Sequence, residues 1–332
     1  MKILLVVMKY DYGDPARGLS YEYYNFYESL LSMGHEVELF DYMTELKATS
    51  KAAMNRKLLD LVQQTRPELT MFSLYTDQFE PDVVQQLRVY TKTLCFFHDD
   101  TWRVEYSLFW ARHFDYFTTP DHYGERRYAA QGLPNAIHFP FGCNEKLHFK
   151  MDVPKKYDVS FVGGWHPYRE WLVERLRKAG HSVHTFGHRW PGGIIEHEEM
   201  VRVFNESRIN LNLSNSASWD VRYLASSLKG MVNRVRSKKT IEQLKARQFE
   251  INGCAAFQLS YYVEGLETYY EIGKEIGIYV DPDDLVEKVG RYLGDAELSE
   301  TIAQAGYQRT LAAHTFAQRF RNVFARMGLS ND

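Results

Sequence analysis

The chain has 332 residues, 45% of them hydrophobic and 25% charged, which suits a globular protein of two domains and excludes a disordered one. The formal net charge of −3 counts against nucleic acid as the main partner but leaves room for a local basic pocket for a phosphorylated small molecule. Three well-separated cysteines, Cys95, Cys143 and Cys254, suggest no disulfide framework and fit a reduced, cytoplasmic setting.

Strands and helices alternate along the sequence. Met1 to Met8 is apolar, too short to span a bilayer, and lacks a small-residue cleavage site after it, so it reads as a buried first strand. A helix over about 17–33 stops at Gly34, a natural C-terminal cap. Glu36 to Phe40 alternates as a strand. A helix over 51–64, a strand over 69–74, a helix over 81–90 and a strand over 93–97 follow. Strands alternating with helices imply a parallel sheet covered on both faces.

The rhythm breaks between about 134 and 158, where Pro134, Pro140, Gly142 and Pro154 read as a linker. It then restarts with a strand over 158–162, a helix over 168–178, a strand over 182–186, a helix over 198–205 and a strand over 208–213. The last segment, about 285–327, is helical apart from short breaks. Within it Phe316, Phe320, Val323 and Phe324 share one face that must pack on something. The chain thus reads as α/β with two successive doubly wound, Rossmann-like units.

In such sheets ligands bind beyond the carboxyl ends of the strands. The stretch from Ile241 to Cys254 is the most informative. It predicts a helix over about 244–252 with Lys245 and Arg247 in its first turn. Cations there oppose the helix dipole unless an anion is present, so the position suits a diphosphate, and Glu250, on the face of Arg247, can accept both hydroxyls of a ribose. An ordinary Arg–Glu pair on a surface helix is the plainer alternative. Gly163-Gly164 follows a strand and precedes a helix, where a backbone can approach a phosphate, with Arg169 one turn on; a tight turn explains the glycines equally well. Asn212, Ser214 and Asn215 could edge a nucleobase or be plain polar loop residues. The stretch 214–240, with Arg222, Lys229, Arg234, Arg236, Lys238 and Lys239, could close on a diphosphate, meet an anionic acceptor or be a solvated basic loop. His98-Asp99-Asp100 ends a strand, and Asp99 or Asp100 could take a proton from a hydroxyl; Asp100 could instead cap the next helix. His181, His184 and His188 are not read as a metal cluster, because residues three apart on a strand point to opposite faces.

The run Lys245-x-Arg247-x-Phe249-Glu250-x2-Gly253-Cys254 resembles the signature of the CgeB-like (spore maturation protein) glycosyltransferases, group-one/family-four-like enzymes of GT-B fold. The resemblance continues through Glu264-Gly265-Leu266-Glu267-x-Tyr269-Tyr270-Glu271, Gly273 to Ile276, Tyr279-x-Asp281, Ala305-Gly306-Tyr307 and His314-Thr315-Phe316. Over the N-terminal half it is looser, chiefly Tyr12-Gly13-Asp14-Pro15 and His98-Asp99-Asp100. It implies two Rossmann-like domains facing across a cleft: an acceptor domain over 1–145, a nucleotide-sugar donor domain over 146–315, and a helix over 316–332 crossing back to the first. It implies a sugar moved from a nucleotide-diphosphate sugar, UDP-sugar foremost, to a hydroxyl acceptor. No metal or further cofactor is implied, since helix dipole and cations stand in for a metal. Lys245, Arg247, Glu250, Gly163, Gly164 and Ser214 become the nucleotide-sugar site, and Glu242, His98 and Asp99 the catalytic candidates. Glu242 stands at the Glu-x7-Glu spacing of retaining members, but Gln243-Leu244 replaces their usual Phe-Gly, so the stereochemical outcome stays open. A nucleotide-sugar epimerase of the same fold and a non-enzymatic sugar-binding protein are the alternatives.

Overall fold

The computed structural model describes residues 1–214, 218–226, 228–236, 239 and 242–329. They divide into two compact units, one formed by Met1–Pro140 with the chain from Phe316 onward, the other by Phe141–Thr315.

The first unit holds six strands: β1 (Lys2–Val7), β2 (Glu36–Asp41), β3 (Leu69–Ser73), β4 (Lys92–Phe96), β5 (Tyr116–Thr119) and β6 (Ala136–His138). They form one parallel sheet in the order β2-β1-β3-β4-β5-β6. Its central strands are apolar on both faces, as a helix-covered parallel sheet requires. Leu4 and Val6 join one core with Phe72, Cys95 and Phe117. Ile3, Leu5 and Val7 join the opposite core with Met71, Phe96 and the helix Phe316–Arg326, whose Phe316, Phe320, Val323 and Phe324 are all buried there. The chain's end therefore completes the core begun by its first strand.

The helix expected over 17–33 contains a π-turn, Tyr23–Tyr27, directly after Glu22, before α-helix resumes over Glu28–Ser32. Such wide turns recur at functional sites. At its end Gly34 takes φ +82°, and His35 N–H reaches back to Leu30 O, the closing bond that a left-handed cap makes available.

The second unit holds β7 (Tyr157–Val162), β8 (Val183–Phe186), β9 (Ser207–Asn212), β10 (Gln258–Tyr261) and β11 (Gly277–Tyr279), parallel in the order β11-β10-β9-β7-β8. The expectation of two Rossmann-like α/β sheets is borne out. In a strand-to-helix chain of this kind, the loops after β7, β9 and β10 and the start of the helix leading into β10 share the carboxyl edge. The stretch 214–240, for which a loop is one expectation, contains two helices, Val221–Ser226 and Leu228–Arg236.

Candidate functional site

At the carboxyl edge of the second sheet, β7 runs into Gly163-Gly164 and the helix Pro167–Lys178, capped by His166 Nδ1 accepting from Tyr168 N–H. A Cβ on Gly163 would stand 2.8 Å from the Phe161 ring, whereas one on Gly164 would meet nothing within 4 Å. Only the first glycine is demanded by packing. Arg169, in the first turn, donates from Nε to Leu213 O at 2.9 Å and from Nη1 to Gly164 O at 2.8 Å. It thereby ties the loop after β7 to the end of β9. Burial pulls its pKa down to about 10, and Arg247 and Glu242 both lie close enough to act on its charge. Its guanidinium stays ionised at neutral pH.

Ser214, two residues past β9, donates from Oγ to Glu242 Oε1. Tyr261, ending β10, donates to Gln243 O at 2.7 Å. These two bonds hold the segment before the next helix against the carboxyl edge. That helix is Arg247–Gly253, shorter than the sequence suggested, so Lys245 precedes it rather than lying in its first turn. The buried Gln248 accepts Lys245 N–H on Oε1 at 2.9 Å, and Gln258 Nε2 donates to Gln248 O and Asn252 Oδ1, each at 2.6 Å. This buried amide network fixes the helix on β10.

Arg247 lies 2.7 Å from Glu250 Oε2, with the same Nη1 2.9 Å from Met200 Sδ and the guanidinium over the Phe204 ring. Glu250 is nearly enclosed, its side chain 7% exposed. Beside it the rings of His148 and His197 meet at 4.9 Å. Burial pushes His148 down to about 4 and lowers His197 too, so the buried carboxylate faces neutral imidazoles. No spacing in the sequence pointed to either histidine.

Other residues of the resemblance are scaffold. Phe249 packs against Tyr269, Tyr270 and His314. A Cβ on Gly253 would stand 2.2 Å from Cys143 Sγ, and one on Gly306 2.2 Å from Glu275 O. Asn212 is buried and donates to Ser260 Oγ, away from the role of edging a base. Asn215 and Lys238 lie outside the described residues, as does the side chain of Lys229.

In the first unit, His98 follows β4 and enters a network absent from the sequence reading. Ser73 Oγ donates to Glu22 Oε1 at 2.7 Å; His98 Nε2 lies 3.0 Å from Ser73 Oγ and 3.2 Å from Glu22 Oε1. With the serine proton directed at the carboxylate, both oxygens offer lone pairs to the ring, so Nε2 carries a proton. Burial alone would raise the Glu22 carboxyl, but the bonds from His98 and Ser73 outweigh it and hold Glu22 below its ordinary value. Asp99 is half-buried. Asp100 is buried and accepts from Tyr128 OH at 3.1 Å. It does not cap the next helix, which begins only at Val104 behind Arg103. Nearby, Tyr12 holds φ +49° and meets Tyr75 edge-on at 5.6 Å.

Among the described residues no group of three His, Cys, Asp or Glu is placed to hold a metal ion, and no helix is long and apolar enough to cross a membrane. His184 lies in β8 and packs on the Tyr157 ring, whereas His181 precedes that strand and stands near Gly290. The three cysteines are buried free thiols.

Residues 169–325 match the family described as glycosyl transferase-like. The match starts at the Arg169 clamp and takes in the whole Glu242-to-Glu250 segment. No curated protein matches the chain in sequence. Among solved structures, sucrose-phosphate synthase from Thermosynechococcus elongatus superposes with a TM-score of 0.63 at 13% identity, over 100% of both chains. A glycosyltransferase from Rickettsia africae gives 0.64 at 8%, over 99% of both. Anabaena HepE in complex with UDP-glucose gives 0.61 at 10%, over 99% of this chain and 100% of that one. At such identities the likeness establishes the fold alone, two Rossmann-like domains as in GT-B structures.

Proposed function

We propose that this protein is a cytoplasmic, metal-independent glycosyltransferase, CgeB-like in its C-terminal signature, which moves a sugar from a UDP-sugar to a hydroxyl acceptor. The observation that carries the reading is the grouping of Arg169, Arg247 and Glu242 at the carboxyl edge of the second sheet. Breaking the bond between the anomeric carbon and the β-phosphate oxygen leaves negative charge on the diphosphate. Cations fixed beforehand stabilise that charge more than they stabilise the bound donor, which is what lowers a barrier. Arg169 and Arg247, with Lys245, fill this role, and the Gly163-Gly164 backbone lies beside them.

Glu250 holds the ribose. Arg247 occupies its Oε2, so Oε1 is the oxygen that accepts a hydroxyl. Glu242, oriented by Ser214, faces the donor sugar. The N-terminal unit is the acceptor domain. There Asp99 takes the proton of the acceptor hydroxyl, and His98, held by Glu22 and Ser73, contacts the transferring sugar. The family match over 169–325 and the structural neighbour solved in complex with UDP-glucose support a nucleotide-sugar donor.

A thermal-shift screen of UDP, GDP, dTDP, CMP and their sugars tests this. A ligand at one hundred times its dissociation constant stabilises the native state by about 2.7 kcal/mol. UDP and its sugars should raise the melting temperature; no shift with any nucleotide would defeat the reading.

A further inference from the structure

The segment between Ser214 and Glu242 follows β9 in the sequence and precedes the helix that leads into β10. From Val221 to Ile241 it carries six basic residues, Arg222, Lys229, Arg234, Arg236, Lys238 and Lys239, and no acidic one, in a protein whose net charge is −3. Arg222 is neutralised by Asp220 and Asp283. Among the described residues no carboxylate pairs with Arg234 or Arg236.

The same segment exposes apolar side chains that a globular fold normally hides. Trp219 is 70% exposed, Val221 75% and Val235 86%, with Met231 and Val232 about half exposed at 47% and 48%. Met231 and Val232 stand four and three residues before Val235 on the helix Leu228–Arg236, so each neighbours it on the helix surface. The guanidinium of Arg234, itself half-buried, lies 3.7 Å from the centroid of the exposed Trp219 ring, so cation and indole stack together. Other surface segments carry acidic partners close in sequence, as in Arg177–Glu174, Arg202–Glu199, Lys274–Glu271 and Lys288–Asp284.

We propose that the face formed by Trp219, Met231, Val232 and Val235, with Arg234 and Arg236, docks this protein on an anionic lipid bilayer. The chemistry selects that partner. Aliphatic side chains need hydrocarbon, which a nucleic acid does not offer; the arginines need phosphate; indole favours the boundary between the two. A helix with this composition lies in the plane of the interface with its apolar face among the acyl chains. The proposal does not rest on the transfer reaction, and its test reads binding alone.

Flotation of the full chain with vesicles of phosphatidylcholine, with and without phosphatidylglycerol, is the measurement. The protein should float with the anionic vesicles and remain in solution with the zwitterionic ones. Arg234→Gln and Arg236→Gln should each weaken partition roughly fivefold, and raised salt should weaken it in the wild type. Val235→Asp should abolish flotation while its melting curve stays that of the wild type, which separates a lost lipid contact from a failed fold. Brominated lipid should quench tryptophan fluorescence in the wild type and less in Trp219→Phe. Equal flotation with both vesicle types, or unchanged flotation of Val235→Asp, overturns the proposal. So does a wild-type dimer in sedimentation that Val235→Asp disperses, since the face would then be covered by a second copy.

Discussion

Arg247 and Glu250, one turn apart on a seven-residue helix, form an ion pair of 2.7 Å in which the glutamate side chain is almost wholly enclosed and the arginine side chain a quarter exposed. The asymmetry predicts different consequences for the two partners. Glu250→Gln removes the acceptor of a ribose hydroxyl, a bond to a charged group worth about 1.5–3 kcal/mol. It should weaken uridine and UDP alike, by roughly tenfold to a few hundredfold. Arg247→Ala should weaken UDP far more than uridine. It should also destabilise the fold by about 1–3 kcal/mol, because a buried carboxylate loses its partner. Calorimetric titration of both ligands against both variants reads the pattern. Two variants that lose similar stability and bind both ligands normally would reduce the pair to scaffold.

Glu22 offers a second test, in the other unit. Glu22→Gln keeps the shape of the side chain but replaces the carboxylate oxygen facing His98 Nε2 and Ser73 Oγ. Turnover of a UDP-sugar should fall by roughly tenfold to a hundredfold. UDP affinity should not change, because no nucleotide ligand is assigned to that unit. A variant with normal turnover would remove His98 from the reaction.

Asp100 sets a pH dependence of stability. Burial raises its carboxyl from 3.8 to about 6, despite the opposing hydrogen bonds from Thr119 and Tyr128. The native state therefore holds this proton more tightly than the unfolded chain does. The resulting stabilisation is full below the unfolded value and is lost as pH rises through the folded one. It amounts to about 2–3 kcal/mol. Asp100→Asn carries no such titration. Denaturation of both proteins between about pH 4 and pH 7 should show the wild type losing stability relative to the variant as pH rises. Parallel curves would mean that Asp100 stays ionised.

The sequence disclosed the elements whose apolar pattern is continuous, such as β1 and β3. It concealed β10, because Gln258 and Ser260 interrupt the hydrophobic run; buried, they bond Gln248, Asn252 and Asn212 instead. The helix at Arg247 is legible in the sequence, but its start is not, because Lys245 gives its N–H to the Gln248 side chain and so stands outside the turn. Arg169 was visible through its place after Gly163-Gly164. Glu22, Ser73 and His98 were not visible as a set. They come from three separate elements, and only the parallel register of β3 with β4 brings two of them side by side. The motif residues Phe249, Gly253, Gly306 and His314 read as signature and turned out to pack.

The last prediction concerns the charge on the leaving diphosphate. If Arg169, Arg247 and Lys245 neutralise it, a divalent metal has nothing left to supply. Transfer from a UDP-sugar should then proceed equally with and without excess chelator. Arg169→Gln keeps a donor for one of the two carbonyls that the native side chain holds, but removes the charge. Removing one preorganised donor from a developing oxyanion typically costs about 10²–10³ in turnover. Arg169→Gln should therefore turn over at least tenfold more slowly, and added magnesium or manganese should not restore it, because among the described residues no carboxylate cluster is placed to hold the ion. Its melting temperature reports separately on the loss of the clamp between the loops after β7 and β9. Abolition of wild-type activity by chelator, with recovery on adding magnesium or manganese, would refute the cationic mechanism. It would direct attention to Asp99 as a metal ligand instead.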